Sequence, residues 1–105
     1  MRILFDQGTP VPLKDELFGH EIKTVFQLGW SNLSNGALIA LAEESFDLLI
    51  TTDQQLRYQQ NLAGRKLRIA VLMTTSWPRI KAQIAEVREA IEDMTPGQYK
   101  EISLR

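Results

Sequence analysis

Two aspartates in this chain occupy the same kind of place. Asp6 ends the apolar run Ile3-Leu4-Phe5, and Asp53 follows Leu48-Leu49-Ile50-Thr51-Thr52; a glutamine comes directly after each. In a parallel α/β sheet both positions fall just past the carboxyl ends of strands, where ligand sites form. Two carboxylates meeting there could hold a hard divalent cation, which takes oxygen ligands and often keeps part of its water shell. A cation held in this way can polarise a phosphodiester and activate water against it. An aspartate at a strand-to-helix junction has a second use, as an N-cap that accepts from the free N–H groups of a first helical turn.

The remaining composition narrows the chemistry. The chain has no cysteine and a single histidine, His20. Thiolate sites, disulfides, a His-based zinc site and a serine–histidine triad are therefore excluded within one chain. A formal net charge of −1 excludes a histone-type polycation but leaves room for local basic patches. Arg57, Arg65, Lys66 and Arg68 form one such stretch, and Arg79 and Lys81 another. Of these, Arg57 and Arg79 fall near the proposed carboxyl edge and are the candidates for contacts to substrate phosphates. Glu43 and Glu44 sit near a predicted helix end, and at most one of two successive helical residues can face a site. Trp30 and Trp77 follow strand ends, where they could stack on bases or pack into the core.

Positioning these groups requires a particular order of elements. Short apolar runs bounded by turn residues predict strands over 2–6, 47–52 and 67–74, the last two suited to central, fully buried positions. Alternation of Ile22, Thr24, Phe26 and Leu28 with Glu21, Lys23, Val25 and Gln27 predicts a further strand over 21–28, and a half-polar edge strand covers 99–104. Helices are predicted over 12–18, 35–45, 54–62 and 77–94, with Ser34 as an N-cap and Gly19 as a terminator. The resulting β-α alternation implies a mainly parallel sheet in a three-layer α/β/α sandwich, joined by right-handed crossovers. A chain of 105 residues makes one domain of this kind. Its 44% hydrophobic and 24% charged content is ordinary for a soluble protein, and no apolar run is long enough to span a bilayer. The amino terminus shows no hydrophobic signal core, so the expected location is cytoplasmic, without membrane association.

The opening Ile-Leu-Phe-Asp and the block from Ser34 to Asp53 resemble the small PIN-like proteins of the DUF5615 type. These are similar to the toxin ribonucleases of bacterial toxin–antitoxin pairs and to the Mut7-C domain. The resemblance extends from Met1 to about Met94. Family members usually read Asp-Glu-Asn after the first strand, Ser-Asp at the start of the second helix, and Thr-x-Asp-x-Asp-Phe after the third strand. Here Asp6, Ser34, Thr51 and Asp53 match, whereas Gln7, Gly8, Asn35, Gln55 and Leu56 depart from the pattern.

The resemblance implies a metal-dependent ribonuclease of toxin–antitoxin type that acts on single-stranded RNA with Mg²⁺ or Mn²⁺. Asp6 and Asp53 would be the metal ligands, Glu44 a third acidic group, and Thr51 a supporting hydroxyl beside the substrate. An antitoxin protein would be the partner, and a homodimer is the default assembly. The missing acidity at Gln7, Asn35 and Gln55 implies weakened activity. It also supports the alternative that the domain is a catalytically inactive PIN-like binding or regulatory module. A receiver domain also gathers aspartates at such an edge, but this chain lacks the paired acidic dipeptide after the first strand.

Overall fold

The computed structural model describes residues 1–56 and 62–104. Its strands are β1 Arg2–Phe5, β2 Glu21–Thr24, β3 Leu48–Thr51, β4 Arg68–Leu72 and β5 Tyr99–Ile102. They form one sheet in the order β2-β1-β3-β4-β5, and every neighbouring pair is parallel. Composition follows position. All four residues of the central β3 are buried, whereas the edge strands carry charge, Glu21 and Lys23 in β2 and Lys100 and Glu101 in β5. Charged edges discourage pairing with a further strand.

Among the described residues, a 3₁₀ helix over Val11–Glu16 and four α-helices lie between the strands: α1 Val25–Leu28, α2 Asn35–Ser45, α3 Trp77–Ala82 and α4 Ile84–Glu92. They cover both faces of the sheet. On one face Ile3, Phe5, Leu48, Ile50, Ala70 and Leu72 meet Leu13 of the 3₁₀ helix and Ile80, Val87 and Ile91 of α3 and α4. On the other, Leu4, Leu49, Ile69 and Val71 meet Val25, Leu38, Ile39 and Ala42 of α1 and α2, together with Leu56 and Leu67. The predicted α/β class and parallel sheet are present. The helix expected over 54–62 falls largely outside the described residues.

Three local expectations are corrected. The strand predicted over 21–28 stops at Thr24, and the chain turns into α1. The cause is a reciprocal cap: the Thr24 hydroxyl accepts from the Gln27 N–H at 3.1 Å, and the Gln27 side-chain oxygen accepts from the Thr24 N–H at 2.9 Å. Gly29, at φ 73°, ends the turn in the left-handed region that glycine tolerates. The helix predicted over 77–94 is broken at Gln83, whose φ −121° and ψ 32° depart from helical geometry. Finally, the crossovers do not share one hand. The connections from β1 to β2 and from β4 to β5 step in opposite directions along the sheet yet lie on the same face. The right-handed rule for parallel crossovers therefore cannot hold for all four connections. The β4–α3–α4–β5 unit has the opposite hand to the β1–β2 and β2–β3 connections, which puts α3 against the 3₁₀ helix.

No helix among the described residues is long and apolar enough to cross a membrane.

Candidate functional site

The chain leaves β1 toward β2 over one face and leaves β3 toward β4 over the other. Where adjacent strands send their chains apart in this way, a crevice opens at the carboxyl edge of the sheet. Asp6 and Asp53 follow those two strand ends. The position of Asp6 is set by the ladder itself, because its N–H donates to the Ile50 carbonyl at 2.9 Å. The loop after it is pinned as well. The Thr9 N–H donates to the Asp6 carbonyl at 3.1 Å, and the buried Thr9 hydroxyl donates to the Ile50 carbonyl at 3.1 Å. Gly8 lets this loop pass close to β3: its φ is +91°, and a Cβ there would lie 2.9 Å from Thr52 Oγ1.

Thr51 joins the two carboxylates. Its buried hydroxyl donates to Asp6 Oδ2 at 2.8 Å and accepts from the Asp53 N–H at 3.1 Å. Asp6 Oδ1 accepts from the Gln7 N–H at 2.8 Å. Asp53 Oδ1 accepts from the Gln55 N–H at 2.9 Å, which is the capping use of an aspartate in a turn. Asp53 Oδ2 accepts from Asn35 Nδ2 at 3.0 Å. Asn35 is delivered by the start of α2, where the Ser34 hydroxyl accepts from the Ala37 N–H at 3.3 Å. Three elements thus converge on one point: β1, β3 and the first turn of α2.

The electrostatics of this point are unbalanced. Burial pushes the Asp6 carboxyl above its ordinary pKa, the hydrogen bonds from Thr51 and Gln7 pull it back in part, and the charge of Asp53 raises it further. Among the described residues, no lysine, arginine or histidine pairs with either carboxylate. Each carboxylate oxygen accepts one hydrogen bond and keeps capacity for another contact. The donor set suits one hard cation that retains waters. It does not suit a two-metal cluster, since no group of three or more His, Cys, Asp or Glu side chains converges among the described residues.

Against families, curated proteins and solved structures already known, the chain has no match.

The other sequence candidates divide sharply. Thr51 is at the centre of the site. Glu44 is not brought to it: α2 starts beside Asp53 and runs away toward the amino edge, so nine residues on, Glu44 is displaced by about 13 Å of helical rise and is exposed. Its neighbour Glu43 is committed elsewhere, accepting from Arg65 Nη1 at 3.0 Å and from the Lys66 N–H at 2.6 Å. Arg79 is exposed in the first turn of α3, at the carboxyl edge. Arg57 lies outside the described residues. Trp30 and Trp77 pack against the two cores, Trp30 edge-on to Phe46 with ring centroids 6.3 Å apart. Gln54 ties the ends of β3 and β4 together by donating from Nε2 to the Met73 carbonyl at 3.3 Å.

Beside Asp6 lies a cleft of about 390 Å³, walled by the Asp6–Thr9 loop, Val11 and Lys14 of the 3₁₀ helix, Thr24, α1 and Ser31. The sequence pattern does not reveal this cleft. With Phe26 assigned to a strand, nothing marked it as an aromatic at a site. The signal that could have found it is the spacing Thr24-x-x-Gln27, a capping box that ends β2 and starts a helical turn.

Proposed function

We propose that this chain is a PIN-like domain acting as a metal-dependent ribonuclease of the toxin type on single-stranded RNA, with activity weakened by its small acidic set. The observation that carries this reading is the Asp6–Thr51–Asp53 constellation at the switch point of the sheet. Two carboxylates are held together there with no protein cation between them among the described residues. Asp6 and Asp53 would hold Mg²⁺ or Mn²⁺, which when bound polarises a phosphodiester oxygen and makes a bound water more acidic. Thr51 fixes the direction of Asp6 Oδ2, and Asn35 fixes that of Asp53 Oδ2. Arg79, exposed in the first turn of α3 at the same edge, would meet a phosphate. The toxin-type reading carries with it a cognate antitoxin as partner.

The test is cleavage of single-stranded RNA with Mn²⁺ or Mg²⁺, comparing the wild type with Asp53→Asn. Metal-dependent cleavage lost in the variant is the expected result. Equal, metal-independent activity in both would remove the mechanism.

A second reading, an inactive PIN-like binding or regulatory module, is favoured by a different observation. An amide, Asn35, already occupies one oxygen of Asp53, and Glu44 is far away. Calorimetric titration with Mn²⁺ separates the two. Binding that disappears in Asp6→Asn speaks against the inactive module, whereas heat indistinguishable from dilution supports it.

A further inference from the structure

The cleft beside Asp6 has a composition of its own. Phe5 and Val25 form its apolar base, while Phe26 and Val11 stand at its rim, 84% and 60% exposed. A phenylalanine left so open on a four-residue helix contributes little to folding, since nearly all of its ring remains in water. Hydrogen-bonding groups surround it: Gln7, Thr24, Gln27 and Ser31. The Gln27 side-chain oxygen is used in the cap of α1, and its amide N–H groups are not part of that cap. The one lining cation is Lys14, half-buried and, among the described residues, paired with no carboxylate. Asp6 belongs to both regions, lining this cleft with one side and meeting Thr51 with the other.

We propose that this cleft is a nucleotide subsite that takes one base of a single-stranded RNA, stacked on Phe26, with the adjoining phosphate at Lys14. The inference rests on the nuclease reading for the identity of the polymer, and it adds the place where the strand is gripped. An open aromatic face, amide and hydroxyl groups at its border and one unpaired cation are together complementary to a base, its edge and a phosphate. The volume lies near the lower end of the range for small-molecule pockets, about 300–1,000 Å³, and admits a single nucleotide unit rather than a stacked run. Because Asp6 is shared, a phosphodiester that a cation at the carboxylate pair would bind puts the adjacent nucleotide in the cleft. A base-binding Phe26 would thus select single strands, whose bases are free to leave a stack.

The experiment is fluorescence anisotropy of a labelled RNA hexamer with EDTA present, so that binding is read without metal or cleavage. Phe26→Ala is expected to weaken binding about tenfold, and Phe26→Tyr to retain it. Lys14→Gln is expected to weaken binding and to flatten the salt dependence by about 0.7 in log–log slope, the value for one phosphate contact on a single strand. Phe18→Ala, which removes another exposed ring outside the cleft, serves as the control and should bind like the wild type. Thermal melts of all four variants verify that they fold.

The proposal is overturned if the hexamer does not bind, or if Phe26→Ala and Phe18→Ala both bind like the wild type. It is also overturned if Phe26→Ala abolishes retention of a protein partner while leaving RNA affinity unchanged. Failure of this subsite and failure of the nuclease reading are distinguishable. Phe26-dependent binding without metal-dependent cleavage sinks the nuclease alone, and cleavage that is indifferent to Phe26 sinks the subsite alone.

Discussion

At the amino edge of the sheet, Glu43 lies against Arg65 and the Lys66 N–H, and Glu92 faces the His20 ring at 3.6 Å. At the carboxyl edge, Asp6 and Asp53 share a threonine hydroxyl, and among the described residues no lysine, arginine or histidine pairs with either. The consequences are opposite. The hydrogen bonds from Lys66 and Arg65 pull the Glu43 carboxyl below its ordinary pKa, whereas burial pushes that of Asp6 above it. One edge uses acids to hold the fold together. The other keeps Asp6 half-buried beside a second acid, a disadvantage for its charged form that a bound cation would relieve.

The largest effect that sharpens this contrast is on metal linkage. A ligand that binds only the folded state stabilises it by an amount that grows with concentration over Kd. Mn²⁺ should therefore raise the melting temperature of the wild type and of Glu43→Gln alike, and leave Asp53→Asn unmoved. Metal-dependent RNA cleavage should fall at least about a hundredfold in Asp53→Asn and stay near wild type in Glu43→Gln, the loss expected when a metal or charge-stabilising group is removed. A Mn²⁺-induced shift that survives in Asp53→Asn would break the comparison.

The next effect lies in the link between the carboxylates. Thr51→Val keeps the shape but removes the hydroxyl that donates to Asp6 and accepts from Asp53. Leaving those half-buried partners unmatched should cost about 1 kcal/mol in denaturant unfolding. The Asp6 carboxyl should rise further, because a bond that favours its charged form is gone. An unchanged midpoint together with an unchanged Asp6 titration, followed by NMR, would show that the link does not operate.

A smaller effect is expected from the loop that delivers Asp6. Gly8→Ala puts a Cβ in the left-handed region and 2.9 Å from Thr52 Oγ1. The strain should be about 1–2 kcal/mol. It should also weaken Mn²⁺ binding, because the loop shifts against β3. The corresponding change at Gly64, whose added Cβ meets nothing within 4 Å, should carry only the backbone part of that cost and leave metal binding alone.

Much of this edge was legible in the residues. Leu48-Leu49-Ile50 announced a buried central strand, Ser34 announced the start of α2, and the apolar runs ahead of Asp6 and Asp53 put both at one edge. The failures have physical causes. Acidity marks Glu44 as a candidate, but a helix that starts at the site carries its later residues away from it. Alternation from Ile22 to Leu28 puts Phe26 in a strand, and the capping signal against it consists of only two residues, Thr24 and Gln27. The hand of the last crossover depends on which face α3 and α4 choose. That choice is made by tertiary packing of Ile80, Val87 and Ile91, and neither period nor propensity records it. Thr9 gave no sign at all, because a hydroxyl that satisfies a strand-end carbonyl looks like any loop threonine.

The smallest effect is the most discriminating, since it reads the two edges with one measurement. A carboxyl whose pKa is lowered on folding stabilises the fold above the ordinary carboxylate range, and that stability is lost as pH falls through the lowered value. Glu43→Gln should therefore be less stable than the wild type at neutral pH, and the gap should close as acid is added. For a carboxyl whose pKa is raised the sign reverses: the folded chain binds the proton more tightly than the unfolded one. Ionisation of Asp6 then weakens the fold as pH rises from the ordinary range through the raised value. Asp6→Asn loses an acceptor, because an amide offers one oxygen where the carboxylate offers two to Thr51 and Gln7. That loss shifts the variant by an offset that does not vary with pH, so the slope still reports the charge. Melting temperatures from about pH 3 to about pH 7 should thus show Asp6→Asn gaining on the wild type as pH rises, while Glu43→Gln falls behind. Two slopes of the same sign would mean that the edges do not differ in the way their hydrogen bonds indicate.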